Sequence, residues 1–360
     1  MSLRACVLSA MFLAGPALAE TPRVAADIAA VHSLVAKVME GVGTPALIMP
    51  PDASPHHYSL RPSEAAALEG ADVVIAVGTG LSPSFDRAAE ALSAGARIVT
   101  LLDVEGTTLL PSREGVAFGD TGHGEHDDGH GHDEHGHDDH GHGDHGHDDA
   151  HAHDKEHGHG HEDDHAHDKE HAGGHDDHAH DDHAGHDHAI DGADPHAWLD
   201  PVNAMAWLDA IAQELSDVDP ANAALYAENA AQGRAELEAL VAEIDAQMAP
   251  VRGRSFIVFH DAYQYFEARF GLTATAAVSL GDAAKPGAAR IAALRDLVAE
   301  AGVSCVFTEP QLNPGILGAL ADEGALKISV LDPQGAGLEP GPDFYPALLR
   351  AMAGSMADCL

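Results

Sequence analysis

The sequence predicts an α/β protein of two lobes joined by one long helix, with a disordered insertion in the first lobe. Three observations carry this. Short apolar runs alternate with segments of helical spacing on both sides of residue 220, the pattern of parallel sheets buried on both faces. The stretch ANAALYAENAAQGRAELEALVAEIDAQMA, rich in Ala, Glu and Leu, has no strong breaker before Pro250. Between Gly119 and Asp191 nearly every second or third residue is His, Asp or Gly, and apart from Ala the apolar types are almost absent. Alternation of this kind builds Rossmann-like (β/α) lobes, whose ligands bind in loops beyond the C-terminal ends of the strands.

The first lobe is expected to open with a strand at Arg23–Ile28 and a helix at Ala29–Glu40, stopped by Gly41 and Gly43. A short strand at Ala46–Met49 ends at Pro50-Pro51. The loop that follows contains His56 and His57. Ser63 is a suitable N-cap for the helix EAAALEGA, and Asp72–Val77 reads as the next strand. A helix at Arg87–Ala94 and a strand at Arg97–Leu102 complete this run. Structure is expected to resume at DPHAWLDP, where Asp200-Pro201 has the N-cap and first-position signature of a helix. Asp219-Pro220 repeats that signature and opens the long helix, about 30 residues and about 45 Å if continuous. In the second lobe, strands are expected at Ser255–Phe259, Thr273–Val278, Ser304–Thr308 and Lys327–Leu331. Helices are expected at Ala262–Phe270, Gly287–Gly302, Pro314–Glu323 and Pro346–Asp358. The implied segments are a signal peptide at 1–19, the first lobe at 20–118 and the insertion at 119–191. The rest of that lobe follows at 192–218, the linking helix at 219–250 and the second lobe at 251–360.

The first twenty residues combine Arg4, an apolar run and Ala17-Leu18-Ala19, which reads as a cleavable secretory signal. The apolar run is too short to span a bilayer. Export would remove Cys6 and leave Cys305 and Cys359, an even pair in an oxidising compartment. A disulfide between them would close a loop of about 55 residues, worth on the order of 4 kcal/mol in the chain-entropy picture.

The formal charge is −41, and −42 once Arg4 has left with the leader, 17 basic residues against 59 acidic. Between Asp120 and His188 lie 23 acidic residues and two lysines, so −21 sits there and −21 on the rest of the molecule. Such a surface repels nucleic acid and anionic membrane and favours cations.

The insertion holds 24 of the 29 histidines, His123, His126, His130, His132, His135, His137, His140, His142, His145 and His147 among them. It has no apolar face to offset the entropy of ordering. Neutral imidazole ligates zinc, copper and nickel, and interleaved carboxylates raise the local cation concentration. The plain alternative is a solvated linker; the chemistry points to a metal-collecting loop with many weak, exchanging sites.

Three histidines outside the insertion share one context. His56 in ASPHHYSLRPS, His196 in DPHAWLDP and His260 in FIVFHDAYQYF each follow or end an apolar segment beside a Pro, an aromatic residue or both. A lone histidine at a strand end is usually a satisfied polar residue. Three of them, in a chain with a large metal-collecting loop, point to a zinc site of three imidazoles converging from separate elements. His32 lies mid-helix without that context. His57, next to His56, is expected behind the ligands or exposed, because neighbouring side chains in extended backbone point apart.

The segments SPHHYSLRPS, DPHAWLDP, FHDAYQYFEARFGL and FTEPQLNP, in this order and with an acidic His-rich insertion between the first two, resemble the periplasmic zinc-binding protein of the bacterial high-affinity zinc ABC importer. The resemblance covers essentially the whole mature chain. It implies two lobes bridged by a rigid long helix with the metal in the cleft between them, and zinc ligands at His56, His196 and His260. It also implies an inner-membrane ABC permease as partner, periplasmic zinc chaperones as further partners, a monomer, and no enzymatic activity. Related manganese binders have a carboxylate where His260 stands, so an imidazole there favours zinc. Some relatives have a glutamate before the first histidine, and here that position is Pro55. The fourth ligand of the manganese branch falls on Asp332 in VLDPQG, against water or chloride as the alternative and against a plain role capping the turn at Pro333. Glu309 in FTEP is expected to orient a ligand imidazole. Cys305 and Cys359 match cysteine positions of several zinc-specific members.

Two other functions fit the same residues. A periplasmic metal store or chaperone would make the loop the functional part. A hydrolase or lyase could use three histidines and an open position on zinc, but the chain has no GxSxG, and its one HExxH match, His161 to His165, is a stretch of the His/Asp-rich insertion with no helical apolar pattern around it.

Overall fold

The computed structural model describes residues 21–115, 117–118, 192–279, 287–311 and 326–360. The expected signal peptide, the insertion with its histidines and the expected helix at Pro314–Glu323 lie outside the described residues.

The first lobe contains β1 (Val24–Ile28), α1 (Ala29–Val38), β2 (Ala46–Met49), α2 (Pro62–Glu69), β3 (Val73–Ala76), α3 (Pro83–Leu92) and β4 (Arg97–Thr100). Its strands form one parallel sheet in the order β2-β1-β3-β4. Then come α4 (Pro201–Val218) and the long α5 (Ala223–Met248). The second lobe contains β5 (Phe256–His260), α6 (Gln264–Phe270), β6 (Ala276–Ser279), α7 (Ala288–Ala301), β7 (Cys305–Thr308), β8 (Lys327–Val330) and α8 (Phe344–Cys359). Its sheet, β6-β5-β7-β8, repeats the order of the first. The strands β1, β3, β5, β6 and β7 are buried along their whole length, as their mainly apolar sequences require.

Several boundaries move for identifiable reasons. The α2 helix begins at Pro62, with Arg61 rather than Ser63 as N-cap, because proline suits the first helical position. The Glu64 carboxylate accepts the Arg61 N–H at 2.7 Å. The α3 helix likewise starts at Pro83, four residues before the expected Arg87. Beyond Thr100 the backbone winds into a 3-10 turn at Leu101–Asp103 instead of extending the strand to Leu102. Asp200 caps α4 as expected, accepting the Val202 N–H at 2.8 Å. Asp219 does not open the long helix. It ends α4, and its carboxylate accepts from Asn222 Nδ2 at 2.7 Å and from the Tyr226 hydroxyl at 2.9 Å. The α5 helix therefore starts at Ala223 and has 26 residues, about 39 Å at 1.5 Å per residue.

The α5 helix lies against α4, α1 and α8. Gly233 sits in its interior because Leu208 leaves no room: an added Cβ would lie 3.0 Å from Leu208 Cδ1. A disulfide joins Cys305 to Cys359, tying the end of α8 to β7. Among the described residues no helix is long and apolar enough to cross a membrane.

Candidate metal centre

In both sheets the strand order reverses between a central pair of parallel strands, β1 beside β3 and β5 beside β7, the place where such sheets form a crevice at the C-terminal strand ends. His260 is the last residue of β5, and Glu309 follows the end of β7. His56 lies beyond β2 in a short 3-10 turn, Pro55–His57. His196 immediately precedes the 3-10 turn Ala197–Leu199 that leads into α4.

The fold brings these three imidazoles together. Each offers one ring nitrogen, and the three nitrogens all lie within 4.8 Å of one another. The ring centroids form a near-equilateral triangle of 5.3, 5.4 and 4.9 Å, with interplanar angles of 65°, 87° and 72°. His56 Nε2 is 3.3 Å from His196 Nε2. Two nitrogens held tetrahedrally on zinc at about 2.0–2.1 Å are about 3.3 Å apart, so this pair stands at the spacing the ion demands. His196 and His260 are 4 % exposed, whereas His56 is half-buried at the mouth.

Two carboxylates stand behind the buried rings. Asp194 Oδ1 accepts from His196 Nδ1 at 2.6 Å and from the His196 backbone N–H at 2.9 Å. With its Nδ1 proton committed there, His196 presents an Nε2 lone pair to the cleft. Glu309 Oε1 lies 3.4 Å from His260 Nδ1, and the Glu309 side chain is buried. Trp198, fully buried, sets its ring 5.2 Å from that of His196 and donates its indole N–H to the Pro333 carbonyl at 3.1 Å. A small cavity beside the histidines is lined by Ser54, Pro55, Gln311, Pro333 and Gln334 together with His56, His260 and Glu309.

The other expected site residues sit elsewhere. His57 is exposed and outside the group of three; it lies in the 3-10 turn, so the expected extended backbone is not what separates it from His56. The Asp332 carboxylate also lies outside that group. Its Oδ1 accepts the Gln334 N–H at 2.9 Å and Gln311 Nε2 at 3.2 Å, and its Oδ2 accepts the Ala336 N–H. It caps the turn after Pro333. His32 is buried in α1 and donates from Nε2 to the Pro45 carbonyl at 3.2 Å. Asp194 is not among the site residues expected from the sequence. Its signal was an acid two residues before a candidate ligand, close enough to reach that residue's backbone N–H and its ring.

Two lobes of parallel α/β sheet, a long helix beside them and three converging imidazoles are the features of a metal-binding protein, with candidate ligands drawn from both lobes. A family model described as the periplasmic component A of a zinc-uptake complex, ZnuA, matches residues 24–359. The chain belongs to this family. It is 44 % identical over 346 residues to the high-affinity zinc uptake system protein ZnuA of Paracoccus denitrificans, with 96 % of this chain and 94 % of that one covered. The protein of the same name from Brucella abortus is 42 % identical over 364 residues, with coverage of 100 % and 99 %. A crystal structure of ZnuA matches the fold with a TM-score of 0.66 at 21 % identity, covering 94 % of this chain and 99 % of that one. A ZnuA deletion mutant with zinc bound matches with a TM-score of 0.65 at 21 % identity, covering 94 % and 98 %.

Proposed function

We propose that this chain is the periplasmic receptor of a high-affinity zinc uptake system. It captures Zn2+ between His56, His196 and His260 and delivers it to an ABC-type permease in the inner membrane. The supporting observation is the imidazole triad, with its 3.3 Å Nε2–Nε2 spacing and a carboxylate behind each buried ring. Neutral imidazoles suit zinc, and a site made of three of them with no carboxylate ligand disfavours manganese. Zinc is here the cargo. The half-buried position of His56 lets the ion enter and leave on that side. The histidines of the insertion, His123 to His188, add weaker sites that collect the ion, and zinc arrives from solution or from periplasmic zinc chaperones. The family is one of transport receptors, which sets the hydrolase reading aside.

The test is a zinc titration of protein lacking residues 122–188. One tight zinc per chain is expected. His260→Ala should weaken it by orders of magnitude and His57→Ala far less. Equal losses in the two variants would show the site to be misassigned. Loss of nearly all binding on removing the insertion would favour a store.

A further inference from the structure

The neck of the insertion is built into the metal centre. Pro111 pairs with Ala193 in an antiparallel bridge, the Ser112 N–H donates to the Gly192 carbonyl at 2.9 Å, and the Asp194 N–H donates to the Leu110 carbonyl at 2.8 Å. These bonds join the strand entering the insertion to the strand leaving it. The inbound strand then continues to the edge of the second sheet, where Ala117 bridges Ala276 and the Phe118 N–H donates to the Thr275 carbonyl at 2.9 Å. Tyr265, buried in α6, holds both strands: its hydroxyl accepts the Leu110 N–H at 3.0 Å and donates to the Asp194 carbonyl at 2.8 Å.

Arg113 occupies the centre of this neck. Its Nε donates to both oxygens of Asp261, at 3.0 and 3.1 Å, and Nη2 donates to Asp261 as well. Nη1 donates to Glu267 Oε2 at 2.8 Å and Nη2 to Glu267 Oε1 at 3.1 Å. The Phe118 ring lies 4.1 Å from the guanidinium carbon. The two carboxylate side chains are 5 % and 3 % exposed, so the guanidinium holds buried charge through all four oxygens. Asp261 directly follows His260, and the turn between them is tight, with the Ala262 N–H donating to the His260 carbonyl at 3.0 Å. One clip thus fixes the turn that carries His260 against the neck that carries Asp194 and, through it, His196.

We infer that Arg113 is a positioning residue of the zinc site: it keeps His260 and His196 in register and so slows release of the ion. This rests on the three-histidine reading above. Lysine in its place keeps the charge but cannot grip two carboxylates as a fork. The test uses the full chain loaded with zinc and mixed with excess chelator. The slow release phase that disappears in His260→Ala belongs to the cleft. If no phase depends on His260, the three-histidine reading fails whatever Arg113 does. Given that phase, Arg113→Lys should speed it by about tenfold or more, the range seen when groups supporting a ligand are removed. It should also shift the cobalt(II) difference spectrum taken against His260→Ala. Ile244→Val, in the buried face of α5, serves as a control for lost stability and should change neither. A lowered Tm in Arg113→Lys with release rate and spectrum unchanged would overturn the inference and leave Arg113 a strut. Should Arg113→Lys not fold, Asp261→Asn, which leaves the Arg113–Glu267 pair in place, is read by the same two measurements.

Discussion

At the scale of single residues, the carboxylates behind the imidazoles govern how the site is presented. Asp194 binds both the backbone N–H and the ring Nδ1 of His196, so it fixes the ring's rotation and the nitrogen offered to the ion. Asp194→Asn can keep the backbone contact but loses the charged acceptor for the ring. Zinc affinity should fall by about 10- to 100-fold, the usual effect of removing such a partner, as read by competition against a chelator. An unchanged Kd would show that the ring is oriented by Trp198 and its own backbone instead. His32 makes a separate prediction about pH. Burial pushes its pKa below the ordinary value, only partly opposed by the hydrogen bond to Pro45. The unfolded chain therefore takes up the proton first, near about pH 6.5. The stability linked to His32 is fully present above that pH and is lost as pH falls through the folded value. Metal-free protein should lose more stability between pH 7.5 and 5 than His32→Gln does in the same denaturant titrations; equal losses would free His32 of the effect. The three converging histidines could be read in the sequence because each follows or ends an apolar segment beside a Pro, an aromatic residue or both. Asp194 left only the signal of an acid two residues before a candidate ligand, because its bonds to His196 follow no periodicity. Arg113 was invisible for a related reason, since its partners lie 148 and 154 residues away.

At the scale of elements, apolar runs placed every described strand to within a few residues, and side-chain bonding decided the remaining boundaries. The clearest case is Thr273–Val278. The strand begins only at Ala276, because the Ala274 N–H is taken by Glu267 at 2.9 Å and the Thr275 carbonyl by Phe118. The sequence before Pro220 carries the same Asp-Pro signal as that before Pro201. Only the first Asp caps a helix, because Tyr226 and Asn222 engage the carboxylate of the second. The Cys305–Cys359 disulfide belongs to this scale too. It ties the last turn of α8 to β7, away from the histidines, in a sheet whose edge strand β8 is partly exposed. Reduction should cost about 2–5 kcal/mol and lower Tm visibly, while the stoichiometry of the tight zinc stays the same. A change in that stoichiometry on reduction would mean that β7 transmits to Glu309 and the site.

At the scale of the whole molecule, the reading proposed above pairs the preformed triad with an insertion of the same ligand chemistry. Residues 120–188 carry −21 of the −41 formal charge and 24 of 29 histidines, a composition that favours divalent cations and supplies imidazoles for them. The composition of the insertion offers no apolar core, so the proposed sites there would be ordered on binding at an entropic cost that a preformed triad does not incur. Its zinc should therefore be weaker, faster to exchange and less selective than zinc held by His56, His196 and His260. The last histidine of the insertion, His188, is eight residues from His196 along the chain. Metal caught there would be carried on the same chain as the triad, which makes its transfer an intramolecular step. Deleting residues 122–188 should abolish the weak sites and leave one tight zinc. It should slow loading of the cleft from scarce, chelator-buffered zinc more than it changes the final Kd. Stopped-flow loading of the full and shortened chains from the same zinc–chelator buffer measures this directly. A slower rate in the shortened chain with an equal endpoint supports collection. Equal rates would remove the collecting role, and a weakened endpoint would instead place part of the tight site's stability in the insertion and its neck.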